Sequence, residues 1–350
     1  MKAIVCHAPE DLRVESFEAE PLGAHQLAVR VAYGGICGSD LHYFKHGGFG
    51  TVCIQEPMAL GHEVSGIVSA VGKDVTNFVA GQRIAISPSR PCGQCMYCQK
   101  GHHNHCLDMR FYGSAMRFPH IQGAFREHLV IDASQAHLLS DKLSLSEAAL
   151  AEPLSVGLHA IQRAGSVFGQ QVLVTGCGPI GALLIAGLRR AGAAHIVAVD
   201  LSDKPLTCAR DMGADVTLNL STDPDALKAY AVNKGSFDVM FEASGSDRAL
   251  RNGLDVVRPR GVIVSIGLGG DAQIPFNQLV AKELELRGTF RFHEEFAVAV
   301  RFLNQGLING RPVISHVMDL ANAQQAFEMA CDKSQAMKVQ INFGAENTLV

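Results

Sequence analysis

The stretch from Gln171 to Arg190, QVLVTGCGPIGALLIAGLRR, restricts the fold more than any other part of the chain. An apolar run of strand length is followed at once by Gly176-Cys177-Gly178-Pro179-Ile180-Gly181, and then by residues with helical spacing. In a G-x-G-x-x-G turn the first glycine makes the bend, the second lets a pyrophosphate approach the backbone, and the third lets helix pack on strand. The phosphates would then lie at the positive end of the helix. Alone the pattern is weak, because glycine-rich turns are common. Here the next strand, HIVAVD, ends in Asp200, where a carboxylate can accept hydrogen bonds from an adenosine ribose. That acid would repel a 2'-phosphate and no arginine follows directly, so NAD is favoured over NADP; Lys204 keeps NADP open.

Strands and helices go on alternating through KPLTCARDMG, DVTLNL, FDVMFEAS and GVIVSIG, the pattern of βαβ units on a parallel sheet. The expectation is an α/β chain with a doubly wound Rossmann sheet over residues 152–290. Residues 1–151 have another texture. LAVRVAYGGICG, EVSGIVSAVG, QRIAI and FREHLVID alternate apolar and polar residues between turn formers, which predicts a small irregular β-barrel. Near the junction LSLSEAALAEPLSVGLHAIQRAG has helical spacing, with Ser144 or Ser146 as N-cap. Residues 291–350 read as a helix (EEFAVAVRFLNQG), a short strand and a second helix (NAQQAFEMAC). A length of 350 residues suits two domains.

Four cysteines, Cys92, Cys95, Cys98 and Cys106, stand in PCGQCMYCQKGHHNHC. A tight loop can fold four such thiolates around one tetrahedral Zn2+, leaving no open position, so this site should be structural. A second donor set is spread further apart. GGICGSDLHYF places Cys37, Ser39, Asp40 and His42 on a loop after a strand, MALGHEVSG brings His62 and Glu63, and ALAEPLSVGLHA holds Glu152. One thiolate, one imidazole and one or two carboxylates make an open zinc site with a position left for water or substrate.

Composition excludes other chemistries. A formal net charge of -4 and a pI near 6.4 give no footprint for nucleic acid or an anionic membrane. The first residues, MKAIVCHAPEDLRVESFE, carry acids where an export signal needs an apolar run. The longest apolar stretch, Ile180 to Leu188, is too short to span a bilayer. A cytoplasmic protein is expected, with Cys6, Cys53, Cys177, Cys208 and Cys331 as ordinary thiols.

Together GICGSDLHYF, GHE, AEPLSVGLHA and GTFRF resemble the zinc-dependent medium-chain dehydrogenases, and within them the polyol dehydrogenase branch. SPSRPCGQCMYC, DMRFYGSAMRFPH and GLGG are similar to the L-idonate 5-dehydrogenase group. The resemblance implies a GroES-like β-barrel catalytic domain, a Rossmann domain, a C-terminal segment returning to the first, and an active site in the cleft between. It implies two zinc ions per chain, a catalytic one on Cys37, His62 and Glu152 with Glu63 adjacent, and a structural one on the four cysteines. Ser39 and His42 match a proton relay, Tyr43 and Arg291 match contacts to substrate hydroxyls, and Arg117 is a candidate partner for a substrate carboxylate. Cofactor contacts extend to Leu201, Lys204, Ile266, Gly267, Leu268, Phe290 and Arg291. One departure is Pro205, where the polyol branch has an arginine. The implied activity is NAD-linked oxidation of a secondary alcohol of a sugar acid such as L-idonate, or of a polyol such as sorbitol. The implied assembly is a homodimer or homotetramer pairing through IPFNQLVAKELELRG. Relatives that have lost the catalytic zinc and only bind would lack the Cys37, His62 and Glu152 set, which this chain keeps.

Overall fold

One strand, Gln26–Gly35, organises the first half of the chain. Its Leu27, Val29 and Val31 are buried in alternation, as the period of two requires when a sheet face covers a core. Along one edge it pairs antiparallel with Glu63–Val71. Along the other it pairs with His128–Asp132 over its first half and with Lys338–Asn342 over its second. Arg83–Ile86, Ala136–Leu138 and Ile314–Asp319 complete a seven-stranded sheet. Ile4, Leu27, Met58, Leu60, Ile84, Phe125, Leu129 and Phe327 are among the residues of its core. The structure, a computed structural model, describes residues 1–345.

Contacts divide the chain into two compact units. The first holds Met1–Glu152, Phe296–Gly306 and the chain from Ile314 on; the second holds Pro153–Glu295 and Leu307–Val313. The second unit carries a six-stranded, all-parallel sheet. Its order is Val216–Asn219, His195–Asp200, Gln171–Thr175, Phe237–Glu242, Val257–Ser265, Glu285–Gly288. The chain starts in the middle, winds outward one way, then returns and winds the other. This is the Rossmann order, and ligands of such sheets bind where the winding reverses, between Gln171–Thr175 and Phe237–Glu242. The central strands are apolar on both faces because helices cover both. Among the described residues no helix is long and apolar enough to cross a membrane.

Four sequence readings change. GSDLHYFKH is not a loop but the helix Gly38–His46; Asp40 in its first turn accepts from the Cys37 N–H (3.0 Å), and Gly47 ends it at φ 72°. The long helical stretch at the junction is broken into Leu145–Ala148, with Ser144 as its N-cap, and Ala151–Ala164. The tail holds a second strand, Lys338–Asn342, inserted beside Gln26–Gly35. The segment IPFNQLVAKELELRG is likewise a helix, Phe276–Ala281, followed by the sheet-edge strand Glu285–Gly288.

Candidate metal centres and cofactor turn

Three neighbouring strands assemble the first centre. Gly35 ends Gln26–Gly35, directly opposite Glu63 on one side and Gln340 on the other. Cys37 therefore leaves the sheet beside His62 and Glu63, and the ligand atoms of these three lie within 4.8 Å of one another. Gly35 is required there, since a Cβ would overlap Glu63 Oε2. The Glu63 side chain passes over this gap to the next strand, where Lys338 Nζ donates to Glu63 Oε1 (2.7 Å) and to Ile36 O (2.9 Å). Both partners are buried, at 3% and 0% exposure.

Asp40 joins the two ligand loops. With no exposed surface, it accepts from the Cys37 N–H through Oδ2 and from the Gly61 N–H through Oδ1, each at 3.0 Å. His62 Nδ1, 3.7 Å from Asp40 Oδ1, and Glu63 Oε2 are buried without a hydrogen-bond partner among the described residues. Glu152, near the start of Ala151–Ala164, is buried close enough to feel the charges of His62, Glu63 and Cys37. Burial, with Glu63 next, pushes the Cys37 thiol up to about 11. Burial also lifts the Glu152 carboxyl to about 8, against the opposing charge of His62. A half-buried Cys37 within ligand reach of buried His62 and Glu63, with buried Glu152 nearby, orphaned acceptors and anions disfavoured, fits a dication that supplies the missing positive charge.

Half-buried Ser39 stands two residues after Cys37, and His42 lies exposed one turn along the same helix. Tyr43 is buried on that helix, its hydroxyl accepting from the Ala115 N–H (3.1 Å). Arg117 Nη1 pairs with Asp108 Oδ1 at 2.5 Å. His120 clips the same loop down, its Nε2 accepting from the Gln55 N–H (2.8 Å) and its Nδ1 facing Arg117 O (2.7 Å).

The second centre is the cysteine quartet, whose four sulfurs also lie within 4.8 Å of each other. Cys95 Sγ is 3.6 Å from Cys98 Sγ and 4.0 Å from Cys106 Sγ. Zn–S bonds of about 2.3 Å would give tetrahedral edges of ~3.8 Å, so these separations fit one ion. Backbone N–H groups of Cys92 and Asp108 point at Cys106 Sγ, and that of Cys95 points at Cys92 Sγ. Such donors stabilise thiolates; hydrogen bonds from the Cys98 and Leu107 backbone pull Cys95 down to about 6.

In the cofactor turn the three glycines have three different reasons. Gly176 has φ 84° and a Cβ there would press on the Ser244 backbone. Gly178, the N-cap of Pro179–Arg190, opens onto free space, as the approach of a pyrophosphate needs. A Cβ at Gly181 would overlap the Gly176 carbonyl oxygen. Gly181→Ala is therefore expected to break the turn, costing ~1–3 kcal/mol of stability and weakening NAD binding; thermal unfolding with and without NAD checks both. Asp200 ends its strand with Oδ2 accepting from the Cys177 N–H (2.7 Å) and Oδ1 from the Leu201 N–H (2.7 Å), so it braces the glycine turn. Lys204 is exposed on Asp203–Asp211, where Pro205 is buried. Ile266, Gly267 and exposed Leu268 follow Val257–Ser265, and Gly267 packs against the Gly245 backbone. Arg291 has φ 52° and stacks over the Phe290 ring, 5.0 Å from its centroid.

Sequence reasoning missed two residues. Lys338 stands in a strand it did not detect, and Glu242 went unremarked. Glu242 is buried at the end of the strand next to Gln171–Thr175, accepting from the backbone N–H groups of Ser244 and Gly245. A carboxylate closing a strand that faces the winding reversal was the available signal.

Residues 23–141 match the model of the alcohol dehydrogenase GroES-like domain, and residues 179–305 match that of the zinc-binding dehydrogenases. The chain is 43% identical to Escherichia coli L-idonate 5-dehydrogenase (NAD(P)(+)), over 90% of this chain and 91% of that protein. It is 33% identical to Bacillus subtilis sorbitol dehydrogenase, over 97% of each. The crystal structure of the E. coli L-idonate 5-dehydrogenase superposes with a TM-score of 0.92, at 40% identity and 97% coverage of both chains. With its GroES-like and Rossmann folds and its two donor sets, the chain belongs to the zinc-binding alcohol dehydrogenases, in their medium-chain polyol branch.

Proposed function

We propose that this protein oxidises L-idonate at C5 to 5-keto-D-gluconate with NAD, the reverse reduction running on the same site. The observation that carries the reading is the 43% identity to an L-idonate 5-dehydrogenase along nearly the whole chain, beside a buried donor set suited to a catalytic zinc. Cys37, His62 and Glu152 would hold that ion, with Glu63 as neighbour or exchange ligand; the cysteine quartet would hold the structural one. Zinc there would supply the Lewis acidity that lets a secondary alcohol lose its proton near neutral pH, and a nicotinamide held by the glycine turn would supply the hydride acceptor. The chain does the rest. The Ser39 hydroxyl receives the alcohol proton as it gives up its own toward His42, whose exposed ring passes a proton to water. The Gly176–Gly181 turn and the helix behind it bind the pyrophosphate, and Asp200 selects NAD by its charge. Tyr43 and Arg291 orient substrate hydroxyls, and an arginine, Arg117 or Arg291, pairs with the carboxylate of the sugar acid.

The assembly we infer is a homo-oligomer pairing through the edge strand Glu285–Gly288, beside which Phe276 and Val280 on the preceding helix are exposed. The test of the site is Cys37→Ser. Zinc per chain should drop from two to one and NADH formation from L-idonate should fall at least ~100-fold. A variant keeping two zincs and its full rate refutes the assignment.

A further inference from the structure

The helix Gly38–His46 carries two histidines that neither donor set uses. We propose that His42 and His46 form a two-imidazole site for a divalent transition ion. The i, i+4 spacing stacks the two side chains on one helix face, one turn apart, the arrangement by which a single helix offers two imidazoles to one zinc. Their ring centroids are 6.1 Å apart and both residues are exposed. Neither ring makes a hydrogen bond among the described residues; His42 has only ring contacts, with His46 and with Phe49. Rotation about exposed side-chain bonds, fast on the nanosecond scale, brings one nitrogen of each ring onto a shared ion, with water completing the coordination. Imidazole donors suit Zn2+, Ni2+ and Cu2+ rather than Mg2+ or Ca2+.

The charges nearby set the affinity. Lys45, between the two histidines, turns away, its ammonium 3.8 Å from Glu10 Oε1 and over the Phe44 ring. Partial burial, His46 and Lys333 together hold His42 below its ordinary pKa, which keeps its ring neutral and able to ligate. Lys333 also repels a dication, so this site is weaker than the four-ligand centres. His46 lies in the last turn, where the helix dipole favours a cation.

The consequence rests on the relay role given to His42 above: an ion on its ring nitrogen takes the lone pair the proton needs, so excess transition metal slows alcohol oxidation. The experiment uses tag-free, zinc-replete enzyme titrated with NiCl2. Isothermal titration calorimetry is run alongside initial NADH formation, for wild type, His46→Ala and His46→Gln. We expect a Ni2+ binding event in the wild type that both variants lose. Their uninhibited rates should be unchanged, and the Ni2+ concentration for half inhibition should rise at least ~10-fold, equal to about 1.4 kcal/mol. Equal Ni2+ binding in wild type and variants overturns the site. Binding lost in the variants while wild-type turnover ignores Ni2+ keeps the site and refutes the relay role of His42.

Discussion

Lys338→Met is expected to destabilise the protein by ~3–5 kcal/mol, the cost of leaving a buried charge without its partner. Glu63 has no exposed surface, and the Lys338 ammonium at 2.7 Å is the cation it meets among the described residues. Methionine fills much of the lysine's volume but donates nothing, so the Ile36 carbonyl also loses a partner. The loss should be larger in chelator-stripped protein than in zinc-loaded protein, because a bound dication also compensates Glu63. Urea unfolding of both forms measures this difference. Equal stability of wild type and variant in the stripped form would show that the pair contributes no net stability. Lys338→Arg, which keeps the charge in a more crowded strand, should recover part of the loss.

The second large effect is expected from Asp40→Asn. Each carboxylate oxygen of Asp40 accepts one backbone N–H, from Cys37 and from Gly61, and thereby holds the two ligand-bearing loops together. Asparagine has one oxygen and one NH2 group, so one buried N–H faces another donor and goes unpaired, at about 1–3 kcal/mol. Loosened loops should weaken the Cys37, His62 and Glu152 centre ~10–100-fold for zinc. The quartet provides an internal control, since its four cysteines lie in a separate loop. Competition with a graded chelator should strip one zinc early and leave the other as in wild type. Parallel loss of both ions would mean that Asp40 acts on the whole unit instead.

What was legible in the sequence depended on range. The quartet lies within fifteen residues of chain, Cys92 to Cys106, and the glycine turn within six, so spacing alone describes their chemistry. The central parallel strands were equally plain, because burial on both faces makes them continuous apolar runs, whereas the exposed edge strand Glu285–Gly288 was not. Lys338 was not legible. Its partner Glu63 is 275 residues away, and a charged residue in a short strand ordinarily reads as facing water. The helix Gly38–His46 was missed because its apolar residues, Leu41, Tyr43 and Phe44, are too few to set a period; its start signal, Asp40 three residues after Cys37, was present. The roles of Tyr43 and Arg117 depend on neighbours that spacing does not reveal: Ala115 against the tyrosine hydroxyl, Asp108 against the guanidinium.

The most direct measurement is kcat/KM for L-idonate and for sorbitol with NAD on zinc-replete enzyme. The proposed function requires L-idonate to be favoured at least ~10-fold, about 1.4 kcal/mol of transition-state discrimination. Equal or better turnover of sorbitol would contradict it and leave a general polyol dehydrogenase.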